Sequence, residues 1–269
     1  MKFAANLNFM FTEHGDFPAR YSAAKAAGFT AVESTPYGTP LEKLVEVKDR
    51  EGLEQVLLNA YPGDWLAGDR GLAALPGRQD DFKKSLAKSI QYAKGLHCTR
   101  IHVMAGLIPS HDPSDREIIL KEMEQVFIEN LKYAADKLQQ EGMMTIIEPI
   151  NTIISMPGYF LNTPSQAAAI IHKVNHENLK LQLDLYHAQL MAGNLTGLIR
   201  EYLPIIGHIQ IAQVPDRGEP DSAGEINFKY ILDLLESLGY DGFIGCEYKP
   251  TTEKTEDSLG WLKNLQSKN

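Results

Sequence analysis

The stretch Glu141-Gly142-Met143-Met144-Thr145-Ile146-Ile147-Glu148 contains the pattern that decides the fold. A helix-period segment ends near Gly142, a short apolar run follows, and the run stops at a charged side chain. Glycine just past a helix adopts the left-handed conformation that turns the chain into the next strand. The same pattern recurs at residues 26–33 and 239–247, so it indicates a chain of alternating helices and strands.

Eight strands alternating with eight helices, without a linker, predict a single-domain (β/α)8 TIM barrel over residues 1–269. A doubly wound open sheet is the main alternative. That fold usually has a glycine-rich first turn, and residues 6–10 contain no glycine. The predicted strands lie near residues 3–7, 30–33, 55–60, 100–104, 143–148, 179–184, 206–211 and 243–247, and the predicted helices over 17–27, 40–51, 79–95, 115–140, 164–174, 195–203, 227–238 and 257–266.

Composition limits the classes of partner. The 269 residues include 35 acidic and 26 basic ones, a formal net charge of −9. No run of Lys or Arg collects on a predicted face, so nucleic acid and anionic membranes are poor partners and a small molecule is expected. The first residues lack a signal-peptide core and no stretch is long enough to span a bilayer, which favours a cytoplasmic location. Cys98 and Cys246 are expected to be reduced, packed thiols. Whether the chain forms a homo-oligomer stays open.

Four polar side chains stand where the last four predicted strands end: Glu148, Asp184, Gln210 and Glu247. If neighbouring strands are parallel, these ends converge at the carboxyl face of the barrel. Three carboxylates at close range repel one another, so the pattern predicts a site for a hard divalent cation, Mg²⁺ or Mn²⁺ first. The alternative is that each acid is a helix N-cap or a surface charge at a loop entry.

Two further residues belong to the same face. His187 follows Asp184 by three residues, which favours contact with a substrate. Arg217 lies in the loop after the seventh strand, and its fork of donors suits a carboxylate or an enediolate oxygen. The alternative for Arg217 is a salt bridge to Asp216 or Glu219.

The histidines on the predicted strands and the loop after the third strand are weaker indicators of function. His208 and His102 are consistent with satisfied residues that line the barrel. Residues 61–71 combine Gly, Pro and Trp in a predicted lid that carries the cation Arg70. Arg70 and Lys249 are candidates to meet a substrate carboxylate. No glycine-rich phosphate-binding loop is present, which favours an unphosphorylated substrate and no nucleotide cofactor.

Several motifs resemble the hydroxypyruvate isomerase family, which lies among the xylose-isomerase-like TIM barrels beside the ketose 3-epimerases. The resemblance runs from residue 3 to residue 250, essentially the whole chain. The motifs that carry it are Ile147-Glu148-Pro149-Ile150-Asn151, Asp184-Leu185-Tyr186-His187, His208-Ile209-Gln210-Ile211-Ala212, Pro215-Asp216-Arg217-Gly218-Glu219-Pro220, Gly224-Glu225-Ile226-Asn227 and Gly245-Cys246-Glu247-Tyr248-Lys249-Pro250.

The resemblance implies that Glu148 and Glu247 are the acid/base pair and that Glu148, Asp184, Gln210 and Glu247 hold a divalent ion. It implies a sugar-acid substrate, with hydroxypyruvate converted to 2-hydroxy-3-oxopropanoate (tartronate semialdehyde) through an enediolate. The related epimerases generally present His where this chain has Gln210, which favours the 2-oxo acid branch. Isomerisation of 2-oxotetronate and 3-epimerisation of a ketose remain alternatives, and a requirement for the metal stays open because His187 and Arg217 could polarise the carbonyl.

Two functions from other classes are disfavoured. An abasic-site endonuclease on this barrel calls for a His-rich multi-zinc site and a basic face, whereas this chain is acidic with eight histidines. A barrel that only binds a sugar acid or a metal would not need an intact pair of glutamates.

Overall fold

The computed structural model describes residues 1–266, in which eight parallel strands form a closed barrel in chain order. The first strand pairs with both the second and the eighth, which closes the ring. The predicted (β/α)8 barrel is therefore confirmed, and the open doubly wound sheet is excluded. The strands are β1 (Lys2–Asn6), β2 (Ala31–Ser34), β3 (Glu54–Asn59), β4 (Arg100–His102), β5 (Met144–Ile147), β6 (Leu179–Asp184), β7 (Ile206–Ile211) and β8 (Phe243–Cys246).

Helices follow the strands and differ from the prediction at two places. A seven-residue helix starts directly after β6, where no helix was predicted. The last predicted helix, 257–266, begins at Gly260 because Thr255–Ser258 form a 3-10 turn. Within the described residues the helices are α1 (Phe17–Ala26), α2 (Leu41–Glu51), α3 (Gln79–Leu96), α4 (Arg116–Gln140), α5 (Pro164–Val174), α6 (Leu185–Met191), α7 (Leu195–Tyr202), α8 (Phe228–Ser237) and α9 (Gly260–Gln266).

Local signals in the sequence set these boundaries. The Thr163 side chain accepts a hydrogen bond from the Gln166 amide at the start of α5, and Pro164 occupies the first helical position. Gly142, with φ of 69°, lies between α4 and β5 in the left-handed region that turns the chain from helix to strand. The glycine signal in the opening stretch therefore corresponds to a turn in the structure.

The barrel interior changes character along the strands. Near their amino ends it is apolar, with Ala4 on β1 and Ile146 on β5 in one small buried cluster. Two residues further along the same strands, the inward side chains are Asn6 and Glu148, both buried. An apolar plug thus closes one end of the barrel, and polar groups collect at the carboxyl ends, where sites on this fold are built.

Two expectations from composition concern the cysteines and the membrane. Cys98 and Cys246 are both free and buried, and burial raises the pKa of the Cys98 thiol to about 12. They are packed thiols, as predicted. Over residues 1–266, no helix combines the length and the apolar character needed to cross a bilayer.

Candidate active site

A cavity of about 900 Å³ opens at the carboxyl ends of the strands. Glu148, His187, Arg217 and Glu247 all line it. The loops after β1 to β3 supply aromatic walls and polar side chains, which is the usual make-up of a small-molecule site. The wall residues from these loops include Asn8, Phe9, Thr35, Tyr37, Asn59, Tyr61 and Trp65.

Three acids and one imidazole meet at the cavity floor. Glu148 follows β5, Asp184 ends β6, and Glu247 follows β8; we call these three side chains the carboxylate cluster. Together with His187 from the first turn of α6, each offers one atom, and these atoms all lie within 4.8 Å of one another. All four residues are buried. The structure thus brings together three of the four predicted ligands and His187, one of the predicted substrate-binding residues.

Burial and mutual repulsion perturb the acids of the carboxylate cluster. Desolvation, followed by the charges of Glu247 and Asp184, raises the pKa of Glu148 well above its usual range. Burial raises the pKa of Glu247 to about 8, although the neighbouring Arg217 charge lowers it. Two side chains in one cavity with displaced pKa values are typical of proton-transfer sites.

The carboxylate cluster fits a divalent cation. Within residues 1–266, Glu148 Oε1 and Asp184 Oδ2 are buried without a hydrogen-bond partner. Buried polar atoms are normally paired, so two unpaired carboxylate oxygens side by side indicate a ligand. Hard carboxylate oxygens are the ligands that Mg²⁺ and Mn²⁺ prefer.

Glu247 is held on both oxygens. Arg217 Nη2 donates to Oε2 at 2.7 Å, and Asn6 Nδ2 donates to Oε1 at 3.0 Å. The guanidinium also lies 3.6 Å from Asp184 Oδ2 and is stacked against the rings of Phe9 and Tyr186. The ion pairs of Arg217 are therefore with the carboxylate cluster, and the alternative of a salt bridge to the acids in its own loop was wrong.

Glu148 is held from β4. The His102 Nδ1 atom lies 3.3 Å from Glu148 Oε2 and 2.9 Å from Asn59 Oδ1. Burial lowers the pKa of His102 to about 3, so this imidazole is neutral near pH 7. The sequence left open whether His102 is a structural residue or part of the site. In the structure, it lies against Glu148, one of the two glutamates.

Asp184 combines a capping role with its place in the carboxylate cluster. Its Oδ1 accepts a hydrogen bond from the Tyr186 amide at 2.8 Å and begins α6. Its Oδ2 faces His187 Nε2 at 3.4 Å and Arg217. The N-cap alternative and the site role thus apply to the same side chain, one oxygen each.

Gln210, the fourth predicted ligand, has both amide atoms engaged by other side chains, and its role as a ligand stays a prediction. Its Oε1 accepts from Gln182 Nε2 at 2.6 Å, and its Nε2 donates to Glu33 Oε1 at 2.7 Å. Reversing the amide would set its oxygen against the Glu33 carboxylate, so the assignment of the two atoms is fixed. The oxygen that the sequence offers to a cation is engaged by Gln182 instead.

The two predicted carboxylate-binding cations lie apart from the cavity floor. Arg70 lines the cavity in the loop after β3, where its guanidinium stacks 3.7 Å from the centre of the Trp65 ring. Lys249 is exposed to solvent and does not line the cavity. Its backbone amide donates a hydrogen bond to the Arg217 carbonyl at 2.7 Å. Lys249 thus lies outside the cavity lining, and its role in substrate binding stays a prediction.

Sequence reasoning missed a buried acid below the site. Glu33, at the end of β2, is fully buried and accepts hydrogen bonds from Asn6, Gln210 and His208 at 2.9, 2.7 and 2.7 Å. His208 thus lies inside the barrel, as its sequence context indicated; its Nε2 is paired with Glu33, whereas its Nδ1 is buried without a hydrogen-bond partner among the described residues. A Cβ at Gly245 would overlap the Glu33 carboxylate, so the glycine makes room for it. The signal was present, because residues 26–33 end at Glu33 in the same pattern as residues 141–148.

Comparison with known proteins gives matches over nearly the whole chain. A family model described as xylose isomerase-like TIM barrel matches residues 21–265. A 2-oxo-tetronate isomerase of Cupriavidus necator is 47% identical over 263 residues, 97% of this chain and 97% of that protein. A hydroxypyruvate isomerase of Escherichia coli is 41% identical over 263 residues, 97% of this chain and 98% of that protein. A crystal structure titled AP endonuclease, family 2, from Brucella melitensis is 43% identical with a TM-score of 0.91, covering 98% of each chain.

Proposed function

Since this chain belongs to the xylose isomerase-like TIM barrel family, we propose that it is an isomerase of small 2-oxo acids that interconverts hydroxypyruvate and 2-hydroxy-3-oxopropanoate. The names of the two relatives support this class of reaction. The observation that carries the proposal is the convergence of Glu148 and Glu247, each with a carboxylate oxygen within 4.8 Å of the other, on the floor of one cavity.

The reaction needs two proton transfers at adjacent carbons. A base takes a proton from C3 of hydroxypyruvate, which leaves an enediolate across C2 and C3. An acid then returns a proton to C2, while the C3 hydroxyl becomes the aldehyde and its proton passes to the oxygen on C2. Glu148 and Glu247 are the proposed base and acid, and a positioned group of this kind typically contributes about 10²–10⁴-fold to the rate.

Negative charge on the enediolate must be stabilised. The carboxylate cluster, Glu148, Asp184 and Glu247, would hold a divalent cation. When bound, such a cation supplies Lewis-acid stabilisation of several kcal/mol. Arg217 is held by Glu247 and Ser155 and lines the cavity. It would hold an oxygen of the reacting centre, together with His187, and Arg70 at the cavity wall would meet the substrate carboxylate.

Isomerisation of 2-oxotetronate is a second candidate, because it is the reaction in the name of one of the two relatives and because polar side chains line the cavity wall. The polar residues Asn8, Thr35 and Asn59 on the wall give room for a further hydroxyl. A panel of hydroxypyruvate, 2-oxotetronate and a free ketose, compared by kcat/KM, separates these reactions and the ketose 3-epimerase alternative.

The endonuclease title of the Brucella structure is not carried over to this chain. The net charge of −9 opposes DNA binding. Among the described residues, the cluster able to hold a metal has one imidazole among three acids, which differs from a His-rich zinc site.

Proton NMR of hydroxypyruvate with the enzyme in D₂O tests the proposal. Loss of the C3 methylene signal and growth of an aldehyde signal are expected, and both should slow after chelation. If the substrate spectrum stays unchanged even with a large amount of enzyme, the assignment as a small-acid isomerase is rejected. Full turnover after rigorous metal removal would reject the cation's role alone.

A further inference from the structure

We infer that Asn151 fixes His187 as a neutral imidazole with its proton on Nε2, so that His187 is a hydrogen-bond donor in the site and not a metal ligand. The inference concerns protonation of the resting protein. Only the identity of the oxygen that receives the hydrogen bond rests on the proposed function.

The orientation of the Asn151 side chain is fixed by the backbone that follows it. Asn151 is fully buried, and its Oδ1 accepts hydrogen bonds from the amides of Ile154 at 2.9 Å and Ser155 at 3.1 Å. Asparagine commonly closes a turn in this way. Backbone amides can only donate, so the atom that they face is the oxygen and the amide cannot be reversed.

The nitrogen of Asn151 then determines the tautomer of His187. Asn151 Nδ2 lies 2.6 Å from His187 Nδ1 and 3.0 Å from Ser155 Oγ, so its two hydrogens point at these atoms. To receive one of them, Nδ1 must present a lone pair and carry no proton. A neutral imidazole has one N–H, which is therefore on Nε2.

The proton on Nε2 faces the site. Nε2 lies 3.4 Å from Asp184 Oδ2 and 3.6 Å from Glu148 Oε1, beside two acids of the carboxylate cluster. A metal-bound histidine needs a lone pair on the ligating nitrogen and generally donates its other N–H to a carboxylate or carbonyl. Asn151 offers a donor at that second position, which is the opposite arrangement.

Two consequences follow for the chemistry. A divalent cation would be held by carboxylate oxygens alone, which suits ions that keep several coordination positions for water or substrate. His187 keeps its N–H for an oxygen on which negative charge develops, without bringing a full positive charge into the site.

Nitrogen NMR on the full-length protein with ¹⁵N-labelled histidine tests the assignment. The eight histidines give separate pairs of signals, and His187→Gln identifies the pair of interest. We expect an unprotonated Nδ1 and a protonated Nε2 in the chelated protein. The same pattern should persist with saturating Mg²⁺ and with Zn²⁺, the ion more inclined to take an imidazole. An unprotonated Nε2 in any of the three samples would overturn the inference, whether or not the protein turns over hydroxypyruvate.

Two variants separate positioning from general structure. Asn151→Asp replaces the donor with an acceptor, so the proton should move to Nδ1 and kcat for hydroxypyruvate should fall about 10- to 100-fold. Ser155→Ala removes the other partner of Asn151 Nδ2 and an acceptor of Arg217 Nη1 but leaves the contact between Asn151 and His187, so the His187 signals should keep the wild-type pattern whatever the change in kcat. A proton that stays on Nε2 in folded Asn151→Asp would contradict the inference. If that variant does not fold, the wild-type and Ser155→Ala spectra still decide it.

Discussion

Asn6 and Glu247, from opposite ends of the chain, are joined by a buried hydrogen bond of 3.0 Å between Asn6 Nδ2 and Glu247 Oε1. The second hydrogen of the same amide goes to Glu33 Oε1 at 2.9 Å. Neither Asn6 nor Glu33 belongs to the cavity lining. A buried acid outside the cavity therefore fixes, through one amide, the position of a glutamate inside it.

Glu33→Gln and Asn6→Ala should therefore affect turnover more than substrate binding. We expect kcat for hydroxypyruvate to fall about 10- to 100-fold with either change, because a glutamate displaced by a fraction of an ångström reacts poorly. KM should change little, since the cavity wall is intact. Steady-state kinetics on the two variants and on the double variant check this. Because Glu33 acts on Glu247 through Asn6, the double variant should be close to Asn6→Ala alone. Fully additive losses would contradict the linkage.

Asp184→Asn should weaken the proposed divalent-cation site while leaving the helix start intact. The amide can still accept the Tyr186 N–H with its oxygen, so α6 keeps its cap. The unpaired Asp184 Oδ2 is replaced by a nitrogen that cannot bind a cation, and affinity for Mn²⁺ should fall at least about 10-fold. Electron paramagnetic resonance of free Mn²⁺ measures the binding. Asp233→Asn, in an exposed pair with Lys229, is the control and should bind like the wild type. Equal affinity in all three proteins would remove Asp184 from the site.

Removal of metal should make stability fall with rising pH. The pKa of Glu148 is raised well above its usual range and that of Glu247 to about 8, so their contribution is complete below the unfolded value of 4.5 and is lost as pH rises through about 8. The lowered pKa values of His102 and His187 change the stability only below pH 6.5, the pKa of the unfolded histidine. Between pH 6.5 and 8, the change in stability therefore reports the two glutamates.

Thermal unfolding with a chelator over this interval measures the effect. The wild type should lose melting temperature as pH rises, and Glu148→Gln should lose less. Added Mg²⁺ should stabilise the wild type more at the upper end, because binding requires ionised carboxylates. A rising melting temperature in the chelated wild type would contradict the assigned pKa directions.

Gly245→Ala should destabilise the protein by displacing Glu33. A Cβ at residue 245 would overlap the Glu33 carboxylate, which three hydrogen bonds hold in place. A loss of about 1–3 kcal/mol in the free energy of unfolding is expected for such overpacking. Urea denaturation measures it against Gly38→Ala, where no atom lies within 4 Å of the added carbon. Equal stability of the two variants would show that Glu33 moves at no cost.

Much of the fold was predictable because one pattern repeats along the chain. Apart from β7, which continues past Gln210 to Ile211, each strand ends at or next to a polar residue that follows an apolar run, so all eight strands were found within a few residues. Strand β4 shows the limit of this prediction. It was predicted over residues 100–104 but spans only Arg100–His102, because only these residues pair with β3 and β5. Helix α6 was missed because it starts on the last residue of β6, with no loop to mark it.

The positions of the three acids were predictable because they depend on strand ends. Glu148, Asp184 and Glu247 converge because parallel strands bring their carboxyl ends together. The partners of Gln210 depend on the register that places it beside Gln182 and Glu33, and no single segment of sequence states that register. The tautomer of His187 depends on a turn that Asn151 closes with its own backbone neighbours, which becomes visible only with atomic positions.

The most direct measurement follows the C3 protons of hydroxypyruvate in D₂O with the wild type, Glu148→Gln and Glu247→Gln, each shown to be folded. If the two glutamates are the proton-transfer pair, the wild type should lose the methylene signal and form an aldehyde product deuterated at C2. In both variants these two changes should be much slower than in the wild type. Wild-type turnover by either variant would contradict the central claim.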